Sequence, residues 1–408
     1  MDRLKSFVKE FHPIVHSLVI GTIFVRAASS MSMPFLFIYL SKNTDMSLGM
    51  IGLIIGAGSL AGMIGGFVGG ALSDMIGRRR VMLGALYVWA FVFLGFAYGK
   101  GVLFFFLLNL LGGLCRSFYE PVSQALMADV TAPEKRFRVF SLRYTAINVG
   151  VAVGPLIGTL LAMKASALPF TVTAIIYLLY AFSLQRLLNH FGIKQIEGQK
   201  KDPITFKKAW NVISGDAAFR LFILGGTLGA FGYSQMSSTL SKFTEMSMPN
   251  GAALFAVLMS VNAIAVVTLQ HPFTRWMEKR PALTSIIAGN VAYALGDIGY
   301  AFATNWAVFI ISMVVFTIGE ILTYTAGDVF IDGLAPEHMR GTYFGAKSFS
   351  NLGSFLGPWL GGILLAQYGG APLFITCACV STASNLFYWM GQRKAHSSAR
   401  TTRSAMRA

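Results

Sequence analysis

Apolar and polar positions lie along this chain in blocks. Runs of about 20 residues with few charges recur, each long enough to cross roughly 30 Å of hydrocarbon as a helix. Twelve such segments are read, at about 14–40, 47–73, 80–99, 102–128, 138–163, 168–189, 217–242, 251–275, 282–303, 306–331, 341–366 and 371–392. The polar connections between them are short, except for HFGIKQIEGQKKDPITFKKAWNVISGD at 190–216, which contains Pro203 and divides six spans from six. The pattern predicts an all-α integral membrane protein: an N-terminal six-helix bundle over 1–189, a central loop over 190–216, a C-terminal six-helix bundle over 217–392 and a basic tail over 393–408.

The two halves repeat each other. LSKNTDMS at Leu40–Ser47 recurs as LSKFTEMS at Leu240–Ser247, an offset of 200. Asp129, APE at Ala132–Glu134 and GPLIG at Gly154–Gly158 recur at Asp332, Ala335–Glu337 and, as GPWLG, at Gly357–Gly361, an offset of 203. A three-residue insertion near Met248–Asn250 accounts for the step. Parallel repeats of this kind imply two bundles related by an axis along the membrane normal, facing a central cavity that rocking exposes to one side at a time.

Composition sharpens this picture. The 408 residues are 55% hydrophobic and only 12% charged, about half the share of an ordinary soluble domain. The net charge is +16, yet the cations cluster between apolar runs, which speaks for membrane orientation and against nucleic-acid binding. With the N-terminus placed in the cytoplasm, 26 of the 33 Lys and Arg fall on the inside, four outside, and three (Arg26, Arg116 and Arg143) within spans. Both termini are therefore expected in the cytoplasm. MDRLKSFVKEFHP reads as a retained helix start, since no small-residue cleavage site precedes a short apolar core. Cys115, Cys377 and Cys379 all lie in apolar segments and form neither a disulfide framework nor a metal-ligand spacing. The six histidines do not cluster, and no phosphate-binding loop or nucleophile–base motif stands out. No cofactor, no metal and no enzyme chemistry are expected. The expected partners are a small molecule held in that cavity and membrane lipids, with the chain acting as a monomer.

Two stretches carry further information. In GALSDMIGRRR (Gly70–Arg80) the small Gly70 permits close helix approach, and Gly77 permits a tight reversal. Asp74 at the membrane boundary needs a partner, and Arg78, Arg79 and Arg80 supply cations that can meet acids across the bundle interface. This stretch reads as a cytoplasmic latch between halves, or more simply as a positive-inside loop. In GVAVGPLIG, Gly150, Gly154 and Gly158 recur every four residues beside Pro155, and Gly357, Pro358 and Gly361 repeat the pattern. These small faces are expected to pack against the opposite bundle, with the prolines bending their helices, or to mark ordinary tight membrane packing.

The first stretch resembles the loop signature between spans two and three of the major facilitator superfamily. The second is similar to the span-five signature of that family's drug/proton antiporter branch. The resemblance covers essentially the whole chain. It implies the twelve-span fold of two pseudo-symmetric bundles and alternating access. It also implies that the latch holds the outward-open state and releases when the cytoplasmic side opens. One departure stands out. Arg143 occupies a place early in span five where some drug exporters of the family carry an acid, and it is assigned to the latch as a partner for Asp74.

Ionisable residues at membrane depth are functional candidates. Arg116 and Glu120 stand at i, i+4 on one face of span four, and Arg116 is similar in place to an arginine of drug/proton exporters in the family. Glu120 with Arg116 and Arg26 is expected to form a proton-coupling switch, the alternative being a permanent buried salt bridge. Glu320 in span ten is the C-terminal candidate for meeting a cationic substrate or carrying a proton. Tyr119, Tyr144, Asn148, Tyr233, Gln235, Met236, Asn262, Tyr324 and Asp297 are candidate cavity residues; their aromatic, sulfur and amide mixture suits variable hydrophobic ligands. Asp129 and Asp332 read as helix-end caps, joined at a gate by Asp328. The expected function is proton-coupled export of lipophilic, drug-like molecules across a bacterial-type inner membrane. The alternatives are export of an anionic or zwitterionic metabolite or lipid, favoured by the intramembrane arginines, and a membrane-embedded enzyme or sensor.

Overall fold

The computed structural model describes residues 11–132, 135–162, 167–193, 206–334, 343 and 346–405. The described residues form helices joined by short turns, with no strand among them. This suits an apolar solvent, because a helix satisfies its backbone polar groups within one segment. In the N-terminal half, span one is α1 (Pro13–Ser32), a 3₁₀ turn and α2 (Leu36–Asn43); α3 (Leu48–Ile76), α4 (Arg78–Tyr98), α5 (Val102–Asp129), α6 (Arg136–Ala162) and α7 (Leu168–His190) follow. The polar central stretch contains a short helix, α8 (Phe206–Gly215). Span seven is α9 (Ala217–Ser237) with α10 (Thr239–Ser247), followed by α11 (Gly251–Met277), α12 (Ala282–Ala301) and α13 (Trp306–Leu334). A 3₁₀ turn at Lys347–Ser350 leads into α14 (Asn351–Tyr368), and α15 (Gly370–Ala405) closes the chain. α15 runs unbroken from the last span into the basic stretch that the sequence set apart at 393.

Ten helical stretches among the described residues are long and apolar enough to cross a membrane. α9 and α12, at the places of spans seven and nine, have 21 and 20 residues but fall outside those ten. Glycines 225, 226, 229 and 232 dilute the apolar content of α9, and Asn290 and Asp297 that of α12. Both nevertheless pack along their neighbours like the rest, α12 against α13 and α15, and α9 against α14 and α15.

Local signals explain the ends. His12 accepts from the Ile14 N–H at 3.2 Å through Nδ1, just before Pro13 at the first helical position. Asp216 caps α9, accepting from Ala218 N and Phe219 N at 2.9 and 3.0 Å. Its other carboxylate oxygen accepts from the Tyr343 hydroxyl at 2.6 Å. Gly77, at φ +92°, makes the break between α3 and α4 that a side chain would strain. The insertion that shifts the repeat falls at the turn into α11, where Asn250 adopts a left-handed φ of 55°.

One apolar cluster holds the first half together, centred on Leu18, Phe93, Phe170 and Tyr177. The second half has a cluster around Phe222, Ile286 and Phe330, near the end that carries the central loop. A third, around Leu254, Phe309 and Phe374, takes in Phe35 and Ile38 from the first half. The end carrying the central loop is called the loop face, and the opposite end the far face. The halves meet along two seams, α3 with α14 and α6 with α11. Among the described residues, one hydrogen bond, between α6 and α11, and one ion pair, between α2 and α10, join the halves, both toward the far face. Ser260 donates to Ala152 O at 2.6 Å, and Lys42 pairs with Glu245 at 3.0 Å. The far face is closed.

Candidate functional site

The wall that the first half turns toward the second is built on α1, α5 and α6. Arg26 Nη2 meets Glu120 Oε1 at 2.5 Å, and Arg116 Nε reaches the same oxygen at 3.1 Å. Arg116 stands one turn before Glu120 on α5, so the second contact follows from helix geometry. The first is long-range and follows from the packing of α1 against α6. A Cβ at Gly150 would lie 2.7 Å from the Arg26 Cβ, and Ser30 Oγ donates to Gly150 O at 3.1 Å. The glycine at 150 thus lets α6 press the backbone that carries Arg26 into place. Arg143 enters the same wall. With its amide oxygen turned toward α6, Gln124 accepts from both terminal nitrogens of Arg143 at 3.3 Å. The wall therefore carries three guanidinium groups and one carboxylate.

The opposite wall is built on α9, α11 and α13. The Tyr233 hydroxyl donates to Glu320 Oε1 at 3.0 Å, and Asn262 Nδ2 donates to Glu320 Oε2 at 2.8 Å. Asn262 also reaches Thr317 Oγ1 at 3.0 Å. Each Glu320 oxygen thus holds a neutral donor, and no ion pair reaches it among the described residues. The two walls face each other: Arg116 lies in electrostatic range of Tyr233, Arg143 of Tyr324, and Tyr144 of both Glu320 and Tyr324. Tyr324 is largely exposed, Tyr144 partly so. Asn148 donates to Tyr144 O at 2.9 Å along its own helix.

A model of the Major Facilitator Superfamily matches residues 18–350. The chain belongs to that superfamily. It is 38% identical to the MFS-type transporter YqjV of Bacillus subtilis (strain 168) over 370 residues, 90% of each chain. It is 26% identical to a Na(+), Li(+), K(+)/H(+) antiporter of Planococcus maritimus, covering 94% of this chain and 97% of that one. It is also 26% identical to the quinolone resistance protein NorA of Staphylococcus aureus (strain Mu50 / ATCC 700699), over 84% of this chain and 87% of NorA. In three dimensions it is similar to the nucleoside transporter NupG, with a TM-score of 0.79 at 13% identity, over 93% and 99% of the two chains.

Four of the cavity candidates in this transporter lie elsewhere. Asp297 is 1% exposed, and both its carboxylate oxygens lack a hydrogen-bond partner among the described residues. It lies inside the C-terminal bundle, in electrostatic range of Cys377. Gln235 is equally buried. It accepts from Thr239 Oγ1 at 2.6 Å, donates to Phe231 O at 3.2 Å, and packs where α9 meets Gly357 and Gly361 of α14. Met236 joins the apolar cluster that holds Phe35 and Ile38 toward the far face. Tyr119 points into the N-terminal core, its hydroxyl 3.0 Å from that of Tyr180. A helix presents several faces, and only the packing of its neighbours decides which one meets the cavity.

The glycine faces require a second correction. Gly154 and Gly158 pack on the Ser30 and Met31 region of α1, within their own bundle, as Gly150 does. Gly353, Gly357 and Gly361 pack on Thr227, Ser234 and Gln235 of α9, again within one bundle. The close approach between bundles falls to glycines the sequence reading passed over. Gly52 and Gly56 of α3 abut the carbonyls of Pro358 and Phe355, and a Cβ at Gly49 would lie 2.6 Å from Ile363. Their spacing in GMIGLIIG, three then four residues apart, was the available signal. Of the second glycine–proline group, Pro358 meets the other half at Gly52.

In the loop signature, Arg79 Nη1 donates to Ile193 O at 2.9 Å, and its other terminal nitrogen reaches Asn189. It therefore ties the turn to the end of α7 in its own half, where pairing with acids across the interface was expected. Gly70 lies on α3, and Arg80 is exposed at the start of α4. The side chains of Asp74 and Arg78 lie outside the described ones, as do those of Asp129 and Asp332. Arg143, assigned to the latch as a partner for Asp74, stands beside Gln124 of α5. Asp328 pairs with Lys347 at 2.6 Å within the C-terminal half.

Proposed function

We propose that this transporter is a proton-coupled antiporter exporting lipophilic small molecules, with Glu320 as the group that takes the proton. The observation that carries the reading is the contrast between the two cavity acids. Glu120 is committed to Arg26 and Arg116, so protonating it leaves guanidinium groups without their counter-charge. Glu320 holds only Tyr233 and Asn262. It can take a proton, or exchange it for a cationic group, without breaking an ion pair. Glu120 with Arg26 and Arg116 then holds the wall in place, the structural alternative left open by the sequence. An antiporter of Planococcus maritimus and a quinolone resistance protein among the relatives support coupling to protons and drug-like cargo. Residence in a bacterial-type inner membrane, with both termini cytoplasmic and the chain monomeric, belongs to the same reading. So does a latch role for the Gly70–Arg80 stretch.

The test is proton flux in proteoliposomes challenged with lipophilic cations. Substrate-evoked proton movement is expected from the intact protein and is expected to vanish in Glu320→Gln. Transport indifferent to a pH gradient overturns the reading. A second reading, export of an anionic or zwitterionic metabolite or lipid, draws support from the three guanidinium groups that share one carboxylate in the N-terminal wall. Competition between anionic and cationic ligands of matched size separates the two.

A further inference from the structure

The repeated stretch LSKNTDMS/LSKFTEMS takes no part in the cavity. Its copies lie at the far face, at the ends of spans one and seven, and they are folded differently. In the second copy α10 runs through to Ser247, so Lys242 and Glu245 stand one turn apart, and Lys242 Nζ meets Glu245 Oε2 at 2.6 Å. In the first copy α2 ends at Asn43 and Thr44 is extended, at φ −143° and ψ 158°. Asp45, the counterpart of Glu245, is thereby carried off the helix into an exposed position, and no ion pair joins it to Lys42. Lys42 reaches instead across the seam to Glu245 Oε1, at 3.0 Å. Glu245 thus holds two ammonium groups, one from each bundle. Burial alone would lift its carboxyl, but Lys242 and Lys42 outweigh that and hold it below the usual carboxylate range.

We infer that Lys42 exchanges partners during transport, pairing with Glu245 of the other bundle when the far face is closed and with Asp45 of its own bundle when that face opens. The repeat supplies an acid three residues after each lysine, so each half carries its own pair. Opening the seam strands no charge: Glu245 keeps Lys242, and Lys42 gains Asp45. Lys100 lines the same outer cleft as Asp45 and is the competing cation there. The difference between the two states is then a difference between two similar, partly hydrated ion pairs, which is small. A seam closed by an irreplaceable pair would hold one state; one closed by an exchangeable pair leaves both accessible. Lys42, Asp45 and Glu245 are positioning residues, and the inference does not depend on what is carried or on proton coupling.

Spin labels at Leu103→Cys and Phe302→Cys, both exposed and toward the far face in different bundles, read the opening. The full chain is used, reconstituted in lipid, with Cys115, Cys377 and Cys379 replaced. Lys42→Gln and Glu245→Gln are each expected to raise the open-to-closed ratio about two- to fivefold. Asp45→Asn is expected to lower it by a similar factor and to have no effect in the Lys42→Gln background. A merely structural role for Asp45 would not give a shift of opposite sign that vanishes without Lys42. The inference is overturned if Asp45→Asn leaves the ratio unchanged, raises it, or shifts it equally with Lys42 absent.

Discussion

Glu120 and Glu320 stand in the two walls that the bundles turn toward each other, and their surroundings differ in kind. Glu120 accepts from two arginines, with a third beside it on Gln124. Glu320 accepts from a phenol and an amide. At membrane depth a charge is kept by pairing or by hydrogen bonds. The two acids illustrate the two solutions, and the choice sets what each can do. An acid clamped by cations ties α1 to α5, beside the Arg143–Gln124 contact that ties α6 to α5. An acid held by neutral donors can change its charge while its neighbours stay where they are.

The sharpest way to break this comparison is to neutralise both acids separately. Glu320→Gln is expected to cut export driven by a pH gradient by about 100-fold or more, with the melting temperature close to that of the parent. Equal loss of coupling in Glu120→Gln, with no loss of stability, would reverse the assignment. Glu120→Gln is expected instead to lower stability by about 2–4 kcal/mol, because it leaves guanidinium groups facing one another; thermal unfolding in detergent reads it. Next in size, Gly52→Val and Gly150→Val separate the two kinds of glycine. The first is expected to hold the far face open and slow turnover roughly tenfold, since it fills the approach to Pro358. The second displaces Arg26 and is expected to destabilise the N-terminal wall, as Glu120→Gln does. Tyr233→Phe removes one of the two donors to Glu320 and is expected to change transport about three- to tenfold. The smallest effect concerns pH at the far face. The Glu245 carboxyl is held low in the closed state, so its clamp is complete above the ordinary carboxylate range and weakens as pH falls through the lowered value. With Asp45 already neutral in Asp45→Asn, acidifying the medium at the far face is expected to widen the spin-label distance as the Glu245 carboxylate takes a proton. Glu245→Gln should abolish that response.

The span layout and the repeat were legible because they are written in long runs and whole motifs. Glu320, Tyr233 and Asn262 were legible as polar residues within apolar helices; that they meet was not, since they lie on three helices far apart in the chain. Gln235, Met236 and Tyr119 show the converse. Each has suitable chemistry, yet each sits on a helix face turned toward its own bundle. Small residues every four positions announced that α6 packs closely on something; the structure makes that α1, a choice one helix alone does not encode. The contact between bundles was written less conspicuously, in Gly49, Gly52 and Gly56. Arg143 illustrates a different gap. Its length lets it reach Gln124 on α5, a contact that its place early in span five does not encode.

One carboxylate outside the membrane also joins two distant parts of the second half. Asp216 caps α9 with one oxygen and accepts from Tyr343, in the stretch after α13, with the other. Burial and the Asp216 carboxylate hold the Tyr343 phenol well above its ordinary value, so it stays a donor at any physiological pH. That bond ties the foot of span seven, just after α8, to Tyr343 on the way to span eleven.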